Sequence, residues 1–145
     1  MKQPILFNRF LNTIPWIIVL LSVFSCSGGL EEKLIGTWKG SDHLFVRTGG
    51  PDVVVTIDGG VERHLVSSLI LNEDGTYEEF VGEYDNGTGV WFVEDKALIL
   101  KNSSGNEVSY QLLKITDDEL ITRRELTMKT PEGELSGEIT LTYQR

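Results

Sequence analysis

The stretch Leu135-Ser136-Gly137-Glu138-Ile139-Thr140-Leu141-Thr142-Tyr143 shows the pattern that decides the fold. Its apolar and polar side chains alternate with a period of two residues: Leu135, Ile139, Leu141 and Tyr143 against Ser136, Glu138, Thr140 and Thr142. Such alternation is typical of a strand with one buried and one solvated face, whereas a helix repeats about every 3.6 residues. The same alternation recurs upstream, at Val61, Leu65, Leu69 and Leu71, and at Leu120, Leu126 and Met128. We therefore predict an all-β fold after residue 36.

Short turn sequences separate these runs. They are rich in glycine, asparagine and aspartate, which adopt the positive φ of tight hairpins: Gly49-Gly50-Pro51, Asp58-Gly59-Gly60, Glu73-Asp74-Gly75, Asp85-Asn86-Gly87, Ser104-Gly105-Asn106, Asp117-Asp118 and Pro131-Glu132-Gly133. The runs between them predict eight or nine strands, at 37–47, 52–58, 61–72, 76–84, 88–94, 97–102, 107–115, 119–129 and 134–145. Because every connection is short, we expect an antiparallel up-and-down meander closed into a barrel, which removes the unpaired edges. An open sandwich of the same strands is the alternative.

The N-terminal region has the composition of an export signal. Lys2 and Arg9 precede a stretch without charged residues from Phe10 to Leu30. A basic start, an apolar middle and a small residue before a cleavage site are typical of secretory signal peptides. A transmembrane helix is the alternative, because the uncharged run is just long enough to span a bilayer. Pro15 and the small polar residues around Ser25 argue against it.

The single cysteine follows this region directly. The sequence Val23-Phe24-Ser25-Cys26 resembles the lipobox of bacterial lipoproteins. In that motif the small residue admits the signal peptidase, and the cysteine thiol takes a diacylglyceryl group. The resemblance implies a lipoprotein signal peptide over residues 1–25, lipid attachment at Cys26 and a lipidated tether over 26–33. A buried or accidental cysteine is the alternative. Two or more acyl chains would give the stable membrane anchoring that one chain does not.

Length and charge exclude several classes of protein. The chain has 145 residues, enough for one domain, and a net charge of −9. Removal of residues 1–25 takes away two basic residues and no acidic one, which leaves −11. Such a surface repels phosphates, so we expect no nucleic-acid partner and a membrane attachment that depends on lipid rather than charge. A single cysteine can form neither an internal disulfide nor a cysteine-rich zinc site.

The region after the tether resembles the lipocalins. A Gly-X-Trp sequence, Gly36-Thr37-Trp38, opens the first strand after a short helical turn. Together with three further segments it resembles the lipocalin-like domain of many small bacterial lipoproteins: Leu34-Ile35, Leu71-Asn72-Glu73-Asp74-Gly75-Thr76-Tyr77, and Trp91 with Leu98-Ile99-Leu100. The resemblance implies a lipocalin-like β-barrel domain over residues 34–145. With the lipid anchor, it implies a location in the bacterial cell envelope, at the outer membrane.

The resemblance also implies how the barrel base closes. In lipocalins an arginine of the last strand lies across the tryptophan of the first strand. Here Arg145 shares the inward parity of Tyr143, so we expect it to pack on Trp38 beside Gly36. A cation over an indole contributes roughly 0.5–2 kcal/mol. A frayed, solvated C-terminal residue is the alternative.

The search for catalytic or metal-binding patterns finds little. His43 and His64 are the only imidazoles, and the acidic residues are scattered rather than set at ligand spacing. Two surface histidines are favoured over a two-histidine metal site, which stays open as an alternative. Ser67 lies close to His64 in sequence, but no Gly-X-Ser-X-Gly nucleophile elbow is present. We therefore predict a protein that is not an enzyme and that uses no metal or cofactor.

Three polar residues fall on predicted apolar faces: Arg63, Tyr110 and Arg124. An eight-stranded barrel is either packed solid or holds one small ligand. An inward charge is costly unless it is paired, so inward arginines would suit the carboxylate of a fatty acid or a similar anionic ligand. The alternatives are that a strand bulge turns these side chains outward, or that Glu79 and Glu83 pair with them.

Three function classes remain. The first is a lipid-anchored barrel that binds a small hydrophobic or amphipathic ligand. The second is a filled barrel that acts as a protein-protein interaction or inhibitor module in the envelope, with a protein partner that the sequence does not identify. The third, an enzyme, lacks a placed reactive group. A cavity with convergent polar groups would favour the first class, and a solid core with an exposed apolar patch would favour the second.

Overall fold

The fold is an eight-stranded antiparallel barrel. The computed structural model describes residues 28–52, 63–82 and 84–145. One short helix and eight strands follow in order: α1 (Gly28–Leu34), β1 (Gly36–Gly49), β2 (Ser67–Leu71), β3 (Thr76–Val81), β4 (Tyr84–Glu94), β5 (Ala97–Asn102), β6 (Glu107–Ile115), β7 (Glu119–Thr130) and β8 (Gly133–Gln144). Each strand pairs with its neighbours in sequence, and β1 pairs with β8 to close the barrel. The predicted all-β meander closed into a barrel is confirmed, while Cys26 and the predicted signal peptide lie outside the described residues.

The strand predicted over 61–72 is wrong in its first part. Residues 63–65 are helical, the amide of Val66 donates to the carbonyl of Arg63, and β2 begins only at Ser67. The apolar parity of Leu65 was misleading, because this side chain is 47% exposed while His64 beside it is buried. As a consequence Arg63 is exposed on a helical turn and does not point inward from a strand. Apart from Asp52, the strand predicted over 52–58 lies outside the described residues.

The turn predicted at Asp85-Asn86-Gly87 is also wrong. β4 begins at Tyr84, which pairs with Val81, so the reversal of the chain lies between these two residues. Gly82 has a φ of +65°, the backbone conformation that a tight turn needs. The pairing jumps between Glu79 and Phe80, which leaves Asn86 as an extra residue in β4. The Asn-Gly pair therefore forms a bulge inside the strand rather than the hairpin itself.

Strand pairing divides the barrel into two ends. At the end that carries α1, here called the closed end, all neighbouring strands are paired. Towards the other end, β1 pairs with β2 only from Gly36 to Lys39, and β6 pairs with β7 only from Gln111 to Ile115. β7, β8 and β1 continue together beyond those points. We call this second end the split end, because at two seams there the described strands do not pair with each other.

The hydrophobic core lies towards the closed end. Its buried members come from α1 and from every strand: Leu34, Trp38, Leu69, Leu71, Tyr77, Trp91, Leu98, Leu100, Tyr110, Leu120 and Tyr143. The two indoles satisfy their N–H groups inside this core, since Trp38 Nε1 donates to the carbonyl of Leu34 (2.7 Å) and Trp91 Nε1 to that of Asn72 (2.9 Å). A buried indole N–H without a partner would be costly, so these two bonds fix how both rings are seated.

The segment Asn72–Tyr77 forms the turn between β2 and β3. The Asn72 amide donates to the Thr76 carbonyl (2.8 Å), and the Asp74 carboxylate accepts from the Thr76 amide (2.9 Å) and hydroxyl (2.6 Å). These bonds to Thr76 hold the pKa of Asp74 below its usual value. Gly75, at a φ of +80°, accepts a hydrogen bond from the Trp91 amide, which ties the turn to β4. Local hydrogen bonding thus accounts for the Asn-X-Asp-Gly-Thr pattern.

The predicted contact between Arg145 and Trp38 is present. The guanidinium carbon lies 4.4 Å from the centre of the indole ring. The same guanidinium donates to the carbonyls of Lys33 (2.8 Å) and Ile35 (2.7 Å), on either side of the end of α1. A Cβ at Gly36 would lie 3.5 Å from Arg145, so the strand start runs close beneath the cation. Gly36, Trp38 and Arg145 therefore lie together at the closed end.

A helical turn fills the seam between β1 and β2. At Gly40, where β1 has left β2, the carbonyl oxygen of His64 lies only 1.8 Å from the place a Cβ would occupy. The hydroxyl of Ser67 donates to that same carbonyl (2.7 Å), which holds the turn at the start of β2. Glycine at position 40 is therefore what lets residues 63–66 pack against β1.

We expect Arg145→Ala to lower the free energy of unfolding by about 1–2 kcal/mol, the combined scale of an exposed cation–π contact and two shared hydrogen bonds. Chemical denaturation monitored by tryptophan fluorescence measures this. Gln144→Ala, at an exposed neighbouring position, is the control and should change stability little. Equal stability of the two variants would show that Arg145 does not hold α1 to the core.

We expect Gly40→Ala to be destabilised by about 2–3 kcal/mol relative to Gly49→Ala, because the added methyl must displace a backbone carbonyl. Gly49 lies in the same strand, and a Cβ there would have no atom within 4 Å, so it controls for the change in backbone entropy. Thermal or chemical unfolding measures the difference. A Gly40→Ala variant as stable as Gly49→Ala would contradict the close packing of the helical turn.

Candidate functional site

Five polar side chains converge in the barrel interior. They are Tyr77 and Glu79 on β3, Tyr110 on β6, Arg124 on β7 and Tyr143 on β8. The three tyrosines are buried, and Glu79 and Arg124 are partly buried. We call these five residues the polar cluster. It combines one cation, one carboxylate and three phenols inside the barrel.

The strand alternation explains why Arg124 points inward. On β7 the residues at the same parity, Leu120 and Thr122, are 0% and 1% exposed, and Arg124 comes next on that face. The Arg124 guanidinium carbon lies 5.4 Å from the ring centre of Tyr110, which faces it from β6. The inward orientation predicted for Tyr110 and Arg124 therefore agrees with the structure. Arg63, the third predicted ligand residue, lies apart from them on its exposed helical turn.

Burial dominates the electrostatics of the polar cluster. It raises the pKa of Tyr110 to about 12, and it raises that of Tyr143 well above its usual value. Burial also raises the pKa of Glu79, while the positive charge of Arg124 acts in the opposite direction. Glu79 and Arg124 thus interact electrostatically. Pairing of an inward arginine with Glu79 is one of the alternatives to a ligand that the sequence left open. Glu83, the other carboxylate considered there, lies outside the described residues.

The polar cluster retains free hydrogen-bonding capacity. The Nε atom of Arg124 is buried and has no hydrogen-bond partner. Within the described ranges no hydrogen bond joins the phenol groups of the cluster or the Glu79 carboxylate to another residue. Buried polar groups normally find partners in protein, water or a ligand. A cation with neighbouring phenols can bind a carboxylate, a phosphate or a neutral carbonyl oxygen.

Apolar side chains continue from the polar cluster towards the split end. The inward positions of β1, β7 and β8 there are Phe45, Leu126, Met128, Leu135 and Ile139. Phe45 fits because Gly137 faces it from β8, where a Cβ would come within 2.4 Å of the phenyl ring. The interior therefore changes from a polar zone near mid-barrel to an apolar wall above it.

Sequence reasoning did not include Tyr77, Glu79 and Tyr143 among the candidate site residues. Tyr143 has the same parity as Leu141 in β8, and that parity alone placed it inward. Its proximity to Arg124 depends on the pairing of β7 with β8 and on barrel closure, which one sequence does not provide. The pattern of one strand shows which side chains point inward. It does not show which inward side chains of different strands lie next to each other, and a binding site depends on that.

His64 borders the polar cluster from the β1–β2 seam. Its Nε2 lies 2.9 Å from the carbonyl oxygen of Thr142, and its ring packs edge-on against Tyr143 at 4.8 Å. Burial lowers the pKa of His64, although its bond to Thr142 opposes the shift. The Ser67 hydroxyl lies 3.4 Å from Nδ1 but only 2.7 Å from the His64 carbonyl, so its proton is directed to the backbone. The arrangement is that of a structural histidine.

The described residues contain neither a metal-binding group of three or more side chains nor a helix that could span a membrane. Across 28–52, 63–82 and 84–145, no group of three or more histidine, cysteine, aspartate or glutamate side chains is placed to hold a metal ion. No helix within these ranges has the length and apolar character needed to cross a bilayer. The Nδ1 atom of His43 is buried without a partner, and His43 lies close enough to His64 to act on it electrostatically.

We expect the imidazole of His64 to titrate below the usual midpoint of about 6.5. Because burial lowers the pKa of His64 in the folded state, the stability that the neutral ring contributes is complete above the usual value of about 6.5. That contribution is lost as the pH falls from there through the folded pKa. Nuclear magnetic resonance titration of the ring protons measures the midpoint, and His64→Gln assigns the signal. A His64 midpoint at or above 6.5 would contradict its burial in the neutral form.

Comparisons with known proteins do not assign the chain to a family. No protein-family model matches the chain, and no curated protein is significantly similar to it. The interpretation of the site therefore depends on the barrel and the side chains described above.

Proposed function

We propose that this protein is a lipid-anchored, lipocalin-like protein of the bacterial cell envelope whose barrel binds a small amphipathic molecule. The polar cluster would hold the head of the ligand, and the apolar wall above it would hold the tail. The observation that carries the proposal is Arg124, an inward cation over Tyr110 with a buried Nε that has no protein partner. The ligand is an anion or a carbonyl compound, because the cluster supplies mainly hydrogen-bond donors.

The electrostatic balance of the interior supports this assignment. A buried guanidinium is costly unless an acceptor compensates for its lost water. Glu79 supplies part of that compensation through its charge, but no ion pair within 4.0 Å joins it to Arg124 among the described residues. A ligand oxygen beside Arg124 would complete the shell of the cation. The phenols of Tyr77 and Tyr110 would donate further bonds.

The cellular location of the protein is a separate part of the proposal. It depends on the lipobox-like sequence Val23-Phe24-Ser25-Cys26, with Cys26 as the lipid-bearing residue and the outer membrane as the destination. α1 begins at Gly28, only two residues after Cys26, so a lipid on that cysteine would hold the closed end near the membrane. Mass spectrometry of the N-terminal peptide, with Cys26→Ser as control, tests the attachment directly.

A protein-interaction module is the second candidate. It is favoured by exposed apolar side chains on β1 and on the neighbouring helical turn: Leu44 (59% exposed), Val46 (50%), Leu65 (47%) and Val66 (62%). A patch of this kind is one mark of a binding surface. An empty barrel interior in the protein purified from its source, together with a specific partner held through Leu44, would favour this candidate over ligand binding.

Titration with dodecanoate tests the ligand-binding proposal. We expect the Cys26→Ser protein to bind dodecanoate, and Arg124→Gln to weaken binding about 10–100-fold, the equivalent of one charge-assisted hydrogen bond. Isothermal calorimetry measures the affinity. Lys101→Gln removes a positive charge from an exposed ion pair with Glu107 and should leave the affinity within about twofold.

Two outcomes would contradict ligand binding at the polar cluster. One is that dodecanoate does not bind, and native mass spectrometry of the protein from its source also finds no added mass. The other is that Arg124→Gln binds as tightly as the parent protein while remaining folded, which would remove the cation from the site.

A further inference from the structure

The seam between β6 and β7 is a slot in the barrel wall. The two strands pair from Gln111 to Ile115 on β6, opposite Leu120 to Arg123 on β7. Among the described residues, β6 before Gln111 pairs only with β5, and β7 after Arg123 pairs only with β8. The backbones of residues 107–110 and 124–130 thus face a common gap without bonding to each other.

The slot holds a depression of about 240 Å³, lined by Ser109, Gln111, Arg123, Arg124, Glu125 and Glu138. Five of these residues are at outward positions of their strands, and Arg124 alone has inward parity. An inward residue lines an outer depression where the wall between the two faces is unpaired. Arg124 is therefore shared between the slot and the polar cluster, where it lies over Tyr110.

Arg123 marks the closed-end limit of the slot. Its guanidinium donates to the Gln111 side-chain oxygen at 2.7 and 3.2 Å, across the last paired position of β6 and β7. It also lies 3.5 Å from a carboxylate oxygen of Glu138 on β8. These contacts join the three strands at the place where pairing ends, which keeps the slot at a fixed position beside Arg124.

The lining of the slot indicates the chemistry that fits it. Arg123 and Gln111 donate hydrogen bonds, while Glu125 and Glu138 accept them, and Ser109 does both. A bare anion would be repelled by the two carboxylates. A chain of amide groups supplies both N–H donors and carbonyl acceptors, which match this mixed lining.

We propose that the slot is a side port through which the head of the ligand leaves the barrel, and that the ligand is an acylated peptide. Its acyl chain lies along the apolar wall, its first carbonyl meets Arg124, and its peptide part passes outward between Ser109 and Glu125. This inference rests on the proposed function of the polar cluster. It extends that function from a small amphiphile to one whose head is too large for the interior.

Binding of two probes with the same tail tests the port. N-dodecanoyl-triglycine carries a peptide head, whereas dodecanoate has a carboxylate that fits inside. We expect both to bind the full chain carrying Cys26→Ser. Ser109→Trp, at an exposed position beside the gap, should weaken N-dodecanoyl-triglycine at least tenfold and leave dodecanoate within twofold. Thr37→Trp, exposed on β1 and outside the slot lining, is the matched control and should affect neither probe.

The outcomes separate the port from the binding site itself. If Ser109→Trp weakens both probes equally, or neither, the head does not pass through the slot and the port is overturned while ligand binding stands. If neither probe binds the parent, the proposed function fails and the port fails with it. Glu125→Trp fills the slot from β7 and replaces Ser109→Trp if that variant does not fold; selective loss of the acyl peptide is again the supporting result.

Discussion

The cation of Arg145 over the indole of Trp38 is the contact on which the rest of the barrel depends. Trp38 is fully buried, and its N–H is already used by the carbonyl of Leu34. Arg145 covers the ring and binds the carbonyls that flank the end of α1. One side chain from the last residue thereby joins the helix, the first strand and the last strand. This end of the barrel is paired on all sides, whereas at the opposite end the described parts of β1 and β2, and of β6 and β7, are not paired with each other.

The interior of the barrel therefore has two parts, an apolar core near the closed end and the polar cluster farther along. Near the closed end, large side chains such as Trp91 and Leu98 fill the barrel and leave a solid core. Farther along, β1 has left β2 and β7 has left β6, so the wall is held by fewer backbone bonds. The polar cluster lies at this transition. The seam beside it brings polar groups close to Arg124, which shares a depression with Ser109, Gln111 and Glu125.

The fold was largely predictable from sequence because each strand carries its own alternation. The bounds of β5 and β6 agree with the predicted ranges, since these strands are regular and end in clear turn residues. The failures occur where local pattern and burial disagree. At residues 63–66 the alternation predicts that Leu65 is buried, but His64 is buried instead. The reason is that the helical turn packs against β1 at Gly40, where a glycine leaves room for the His64 carbonyl.

The candidate site was predictable only in part. Parity placed Tyr110 and Arg124 inward, and they do lie together. It also placed Arg63 there, because parity counts residues and assumes that the strand is continuous. The approach of Tyr143 and Glu79 to Arg124 arises from cross-strand register and closure, which are long-range properties. Sequence alone therefore identified single side chains, and the three-dimensional arrangement identified their electrostatic environment.

The position of Arg145 has a consequence for the order in which the chain acquires structure. β1 needs β8 as its partner, and these two strands lie at opposite ends of the domain sequence. The contact of Arg145 with Trp38 joins the same two distant parts of the chain. Contacts of such large sequence separation slow folding, because the whole intervening chain must be ordered before they form. Closure of the barrel base is therefore a late step in folding, which follows the ordering of the strands between β1 and β8.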